Sequence, residues 1–247
     1  MIFILRSYLL LLVLICISSC KMSQELSDVP PSDQCLYQAA IQSAMYPTED
    51  KIHEDLIIID KQNKDLIWTT INGEDYILVI TWKSNISFYE PFIDSLFYNT
   101  ANYPIWVTVA PELRYRIQRE GIEDLDRRLI SLLGLPPNAA YSYFVEFWVK
   151  PQDIFRPCPD PEITDSKCSI CFPNVDSTHI NWMHENRIDR YYDCDLYKRY
   201  PWTQLGYTYD WNTKGKTHVG LSEFVIKQNK NIIVKAIYTT EEYLNKS

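Results

Sequence analysis

A chain of 247 residues with 32 acidic against 24 basic side chains carries a formal charge of −8, and is repelled by phosphate backbones. Nucleic acid is therefore excluded as an expected partner. Eighteen tyrosines and seven tryptophans beside only six glycines describe an ordered, aromatic-rich fold rather than a disordered stalk, long enough for an ample core.

The chain opens MIFILRSYLLLLVLICISSCKM, with Arg6 ahead of an apolar run over 8–17 that closes on Ile17-Ser18-Ser19-Cys20. About ten apolar residues ending in small ones are too few to cross a ~30 Å bilayer core, and read as an export signal. With charge, apolar length, small pair and cysteine in register, the segment resembles the lipobox of bacterial lipoproteins. That resemblance implies loss of 1–19 as a signal peptide and acylation (palmitate and related chains) of Cys20. The body would then be held by acyl chains, outside the cytoplasm, at the cell envelope. Lys21 stands where an aspartate would signal retention at the inner membrane, which favours the outer one. No later segment approaches eighteen apolar residues, so no transmembrane helix is expected.

Residues 20–33, polar and containing Pro30-Pro31, read as a tether, and 34–247 as a single domain. A helix is predicted over 34–45, capped by Ser32 or Asp33 and stopped near Pro47. Apolar runs at 56–59, 66–71 and 76–82 predict strands. Asn72-Gly73 is a hairpin signal, to which Glu74-Asp75 adds an expected four-residue loop. A strand over 105–109 precedes a helix that Pro111 opens and Gly121 stops. A second helix over 123–133 aligns Leu125, Leu129, Leu132 and Leu133 on one face, with acids at its start and Gly134 at its end. The run 141–149 is apolar on both faces and predicts a central strand. Strands over 221–226 and 232–238 flank QNKN as a second expected hairpin. The class is α+β: a mostly antiparallel sheet built from hairpins with a few packed helices.

Between 151 and 211 regular structure is expected to give out, apart from a helix near 178–189. This excursion holds six prolines together with Cys158, Cys168, Cys171 and Cys194. Ordinary connections run about four to six residues, so a loop this long needs something to order it. In an oxidising space one or two disulfides among those four cysteines would staple it, with the pairing left open by spacing. Cys35 is then left over. The rival metal or redox reading of Cys168-Ser-Ile-Cys171 finds no histidine after the pair, no helix start and no second close pair. No metal and no cofactor is expected. His179 and His184 do not share a helical face, and His184 beside Ile180 and Ile188 reads as packed.

No serine-nucleophile elbow and no phosphate-cradling loop occurs. Among the acids, Glu146 lies mid-strand between Phe144 and Trp148, where it must pair with a cation, Arg156 being the nearest in sequence, or carry a raised pKa. Asp210 lies within Tyr207-Thr208-Tyr209-Asp210-Trp211. Glu146 and Asp210 are the candidate acid and base. Trp148, Arg156, Asp160, Trp202, Tyr207, Tyr209 and Trp211 are the candidate ligand contacts, acids beside aromatic rings being what a sugar-binding surface uses. The sequence favours an envelope-anchored binding or interaction module for a glycan, peptide or envelope protein, with an exposed aromatic patch around Trp202, Tyr209 and Trp211. A glycan-acting hydrolase and a structural envelope protein are the alternatives.

Overall fold

The computed structural model describes residues 32–95, 97–101, 103–120, 124–212 and 217–246. The chain separates into two units, 1–36 and 37–247, and the architecture below is that of the second. The leader, Cys20 and the tether up to residue 31 lie outside the described residues.

The fold is α+β, and every strand pairing among the described residues is antiparallel. In chain order the strands of the large sheet are β1 (Trp68–Ile71), β2 (Glu74–Lys83), β3 (Tyr98–Asn99), β4 (Ile105–Val109), β5 (Tyr143–Val149), β6 (Ile154–Phe155), β9 (Phe224–Ile226) and β10 (Asn231–Thr239). Two more, β7 (Tyr207–Tyr209) and β8 (Val219–Ser222), form a separate pair. The order across the large sheet is β3-β10-β5-β2-β4-β9-β6. Strand β1 borders the first half of β2 and β4 its second half, both on the side away from β5. The helices are α1 (Asp33–Ala44), α2 (Ala110–Glu120), α3 (Leu125–Leu132), α4 (Ser177–Tyr191) and α5 (Thr240–Leu244).

The local rules explain most of this. The strand expected over 105–109 is β4, and the run apolar on both faces is β5, lying between β10 and β2 as its pattern demands. The Asp124 side chain accepts from the Arg127 amide to start α3, and Asp176 accepts from Thr178 to start α4. The Asn72-Gly73 turn is tighter than expected. Both residues take positive φ (53° and 80°) and Ile71 pairs directly with Glu74, which is a two-residue type I′ loop whose twist matches the strands. Glu74 and Asp75 belong to β2.

Two expectations fail. The run 56–59 is extended but forms no regular strand, because Leu56 and Ile59 donate to Ser166 O and Ile163 O of the excursion and Ile57 donates to Ser222 Oγ. The second hairpin does not form either: β9 and β10 are separated in the sheet by β4, β2 and β5. The physical reason lies at Thr100. Its hydroxyl donates to Lys227 O and accepts from the Lys230 amide, while the Lys227 amide donates to Asp153 O, so the linking residues find partners elsewhere than in a turn.

One face of the sheet is closed by apolar packing alone. Ile77, Val79, Val107, Val145, Phe147, Phe224 and Val234 meet Leu66 and Tyr89, each contributing about 1.5–3 kcal/mol by burial. The opposite face carries Ile80, Trp82, Trp106, Thr108, Phe144 and Glu146, and here α5 and α4 pack. Tyr243 of α5 lies against Phe144 (ring centres 4.6 Å apart), and Trp182 of α4 lies against Trp106 (5.9 Å). A bulge in β10 between Val234 and Ala236 inserts Lys235, which aims its ammonium at Glu146 (3.1 Å) and over Trp148.

The 151–211 excursion is irregular as expected, apart from β6, α4, β7 and short 3₁₀ turns. A disulfide staples it, Cys158–Cys168, while Cys171 and Cys194 stay exposed and free, as does Cys35. The second organiser is Arg156, which is fully buried. Its guanidinium pairs with Asp165, donates to the carbonyls of Asp165 and Ile57, and lies over the Phe224 ring. A Cβ on Gly206 would come within 2.6 Å of the Arg156 side chain and 2.8 Å of Cys168 Sγ, at a φ of +74° that glycine tolerates best. Loop, disulfide and arginine therefore interlock. Among the described residues no helix is long and apolar enough to cross a membrane.

Candidate functional site

The sheet face that carries Trp106 is incompletely covered. Between β2, β4, the end of α3, the end of α4 and the segment 200–209 lies a cavity of about 250 Å³. This is near the small end of the range for small-molecule sites, about 300–1,000 Å³. Its walls are aromatic, with Trp82, Trp106, Trp202, Tyr141, Tyr200 and Tyr207 prominent. The alternation of strand side chains puts Trp82 and Trp106 on this face, and neighbouring rings hold them: Trp82 stacks on Phe144 (5.7 Å), and Trp106 meets Trp202 edge-on (5.9 Å). The Trp202 indole donates to Pro157 O and the Trp82 indole to Thr240 Oγ1, so neither has a free N–H to turn inward.

Two groups of opposite character face this cavity. Arg190, in the last turn of α4, has its guanidinium between the rings of Trp106 (5.0 Å) and Tyr200 (4.9 Å), and among the described residues no hydrogen bond or carboxylate engages it. Glu223 stands at the break between β8 and β9, its amide donating to Gly206 O. No hydrogen bond or ion pair engages its carboxyl among the described residues. Burial pushes that carboxyl up to about 8, and the attraction of Arg190 only partly opposes it. Lys83 also borders the cavity, and burial lowers its ammonium below the usual lysine range. Rings with a guanidinium and an acid-form carboxyl that have no hydrogen bond among the described residues are the equipment of a binding pocket.

The residues expected from sequence divide. Trp202, Tyr207 and Tyr209 do border the cavity, but as buried walls (4%, 5% and 7% exposed) and not as a surface patch. Trp211 is buried too. It donates to Leu135 O and packs edge-on to Tyr37, so the expected exposed aromatic patch does not exist. These rings have enough apolar area to be drawn inside once their polar atoms find carbonyls. Trp148 is half-buried beneath Lys235. Asp160 lies in a separate, broader cleft of about 1060 Å³ with Phe155, His179 and Trp182. There His179 stacks on Trp182, and its Nε2 bonds Cys158 O. His184, expected to pack, is exposed, because Ile188 one turn on is itself 62% exposed.

Neither carboxylate proposed as acid or base reaches either cavity. Glu146 is fully buried and held by Lys246 (2.9 and 3.0 Å) and Lys235 (3.1 Å); Arg156, its expected partner, is committed to Asp165. Asp210 accepts two hydrogen bonds from Arg128 (2.9 and 2.8 Å), with Arg116 at 3.7 Å. Glu120 closes the network from the other side of Arg128, which holds the Glu120 carboxyl below its usual range. These are structural ion pairs. A third carboxyl, Glu112, accepts from Thr108 Oγ1 and from the Ser222 amide and hydroxyl, yet burial still pushes it up to about 7.

Glu223 and Arg190 were the residues that sequence reasoning passed over. A signal existed for Glu223: it interrupts the apolar run LSEFVI as Glu146 interrupts YFVEFWV. Arg190 had none, since its partners Trp106 and Tyr200 are remote or irregular in sequence. Among the described residues no group of three or more His, Cys, Asp or Glu side chains converges to hold a metal. Compared with protein-family models, with curated proteins and with solved structures, the chain finds no match.

Proposed function

We propose that this protein is an envelope-anchored binding module, tethered through an acylated Cys20, whose body takes a small ring-bearing ligand into the cavity between Trp106 and Trp202. The observation that carries the reading is a pair of polar groups facing an aromatic cavity, Arg190 and Glu223, neither with a hydrogen bond or ion pair among the described residues. Both side chains are half-buried, and neither has a hydrogen-bond partner among the described residues, which leaves their bonding capacity open to a ligand. The anchor is supported by the sequence of residues 1–22.

Both halves are open to test on the full-length chain. In cells fed an alkyne-tagged fatty acid, the wild type should incorporate label and Cys20→Ser should not; equal labelling of both would end the anchoring idea. For the cavity, thermal-shift screening against sugars, short peptides and small organic acids should give a ligand that raises Tm. A ligand at a hundredfold excess over its Kd stabilises by about 2.7 kcal/mol. Leu135→Trp, which fills the cavity from its wall, should abolish that shift. A shift that survives the filling places binding elsewhere and refutes the cavity reading.

A further inference from the structure

The chemistry of the cavity narrows its ligand. Arg190 and Glu223 attract one another, since the arginine opposes the rise of the Glu223 pKa, yet among the described residues no ion pair joins them. Arg190 keeps its place between two rings instead. A group bonding to both would supply the hydrogen bonds that neither has. Contact with the two rings also restrains the guanidinium, so its donors lose less rotamer entropy on binding than those of a free arginine. At neutral pH the arginine is charged and burial holds Glu223 mostly in its acid form, as a hydroxyl donor. Lys83 adds no negative charge. The cavity thus offers donors and a positive charge from the polar side, and indole faces from the other.

Resting on the binding reading above, we propose that the ligand is a small carboxylate carried on a ring: its carboxylate bridges the Arg190 guanidinium and the Glu223 carboxyl, and its ring lies against Trp106 and Trp202. Two sources present this chemistry, an aryl carboxylate and a sugar acid. A cationic ring meets Arg190 instead of an acceptor, and a neutral ring leaves both polar groups unpartnered.

The groups whose titration would bear on Glu223 are few. Arg190 and Tyr191 face it from α4, and Lys83 borders the cavity from β2. The wall phenols are Tyr141, Tyr200, Tyr207 and Tyr209, and burial raises Tyr207 to about 12. Of these, Glu223 is the group that changes charge near pH 8, while Glu112, pushed up to about 7 and bonded to Thr108 of the wall and to the adjoining Ser222, titrates about one unit lower.

The experiment is isothermal titration calorimetry of the full-length chain in detergent at pH 7. The probes are indole-3-acetate and benzoate (aryl arm), glucuronate (sugar-acid arm), benzyl alcohol and glucose (neutral), and benzylamine (cationic). The expected result is binding by the carboxylates of one arm, at least tenfold tighter than the matching neutral compound, that being about the smallest effect of losing a charge-assisted hydrogen bond. Affinity should fall about tenfold per pH unit above pH 8 as Glu223 ionises against the bound anion. Glu223→Gln should weaken binding at pH 7 and remove the fall. Arg190→Met should weaken it at least tenfold, and Arg190→Lys, which keeps charge and stem but not the fork, by less; near-ultraviolet circular dichroism of each variant reports whether the walls are intact. Preferential binding of benzylamine or benzyl alcohol, lost in Leu135→Trp, would overturn the carboxylate class and leave the cavity reading standing. Absence of binding by all six probes overturns both.

Discussion

Asp210 offers a direct test of whether a buried acid among aromatics is chemical equipment or scaffolding. It is 2% exposed, and its carboxylate accepts Arg128 Nη1 (2.9 Å), Arg128 Nη2 (2.8 Å) and the Asn212 amide (3.0 Å). Asp210→Ala removes three accepted hydrogen bonds at once and leaves a buried guanidinium with Glu120 as its remaining carboxylate. Removing one partner of a buried ion pair costs about 3–5 kcal/mol, and the retained Glu120 puts this case near 3. For a body of this size each kcal/mol moves Tm by about 2–4 °C, so the melt should fall by roughly 6–12 °C. Arg128→Met should cost a similar amount, by stranding Asp210 and Ser131. The double variant strands neither pair member and should be no worse than the poorer single, a coupling of more than about 1 kcal/mol. Urea unfolding followed by tryptophan fluorescence, with an unchanged m value, measures all three. Single losses below about 1 kcal/mol, or a double variant equal to the sum of the singles, would show that the network does not hold this part of the fold together.

Burial and packing elsewhere in the domain set further outcomes. Glu223 has a folded pKa of about 8 against an ordinary 4.5, so its contribution to stability is complete below pH 4.5 and is lost as pH rises to about 8, at up to ~1.4 kcal/mol per unit. Glu223→Gln should flatten the stability profile in that window; an unchanged slope would mean that the carboxyl ionises freely. Glu112→Gln should act alike up to about pH 7, with a smaller net gain because three good hydrogen bonds to the carboxyl are altered. Replacing Cys158 and Cys168 with serine, across a sequence separation of 10, should cost about 2–3 kcal/mol in denaturant, and the same loss should appear in the wild type with reductant present. Gly206→Ala forces a Cβ into Arg156 and Cys168 and should destabilise by more than about 2 kcal/mol, whereas Gly73→Ala meets no atom within 4 Å and strains only the turn; equal effects of the two would contradict the packing described.

The parts of this fold legible in the sequence are those governed by neighbours along the chain. Strand β4, the central place of β5, the acid-started helix α3 and a turn at Asn72-Gly73 each follow from periodicity or from local turn and helix-end residues. What stayed hidden depends on partners far away. QNKN looks like a turn until Thr100, some 130 positions distant, takes its hydrogen bonds. Arg156 seemed the natural neighbour of Glu146, yet Lys246, 100 positions on, and bulged Lys235 hold that acid. The candidate site shows the same limit. Tyr and Trp density around 202–211 pointed to the right segment, but whether those rings face water or a cavity depends on Trp106 and α4 closing over them. Glu223 could have been flagged as an acid inside an apolar run, whereas Arg190 is recognisable only once two rings from different segments meet around it.

The two sides of the sheet divide the work of the domain unevenly, and this bears on how its sequence can change. Val79, Val107 and Phe147 lie in a continuous apolar layer, where any loss of volume weakens the whole body. On the reverse, a residue such as Leu133 or Leu135 borders empty space, so it can grow or shrink with little strain while reshaping what the hollow admits. Selectivity can thus drift across generations over a backbone that hardly moves, one side of a strand conserved by packing while the other is free to explore.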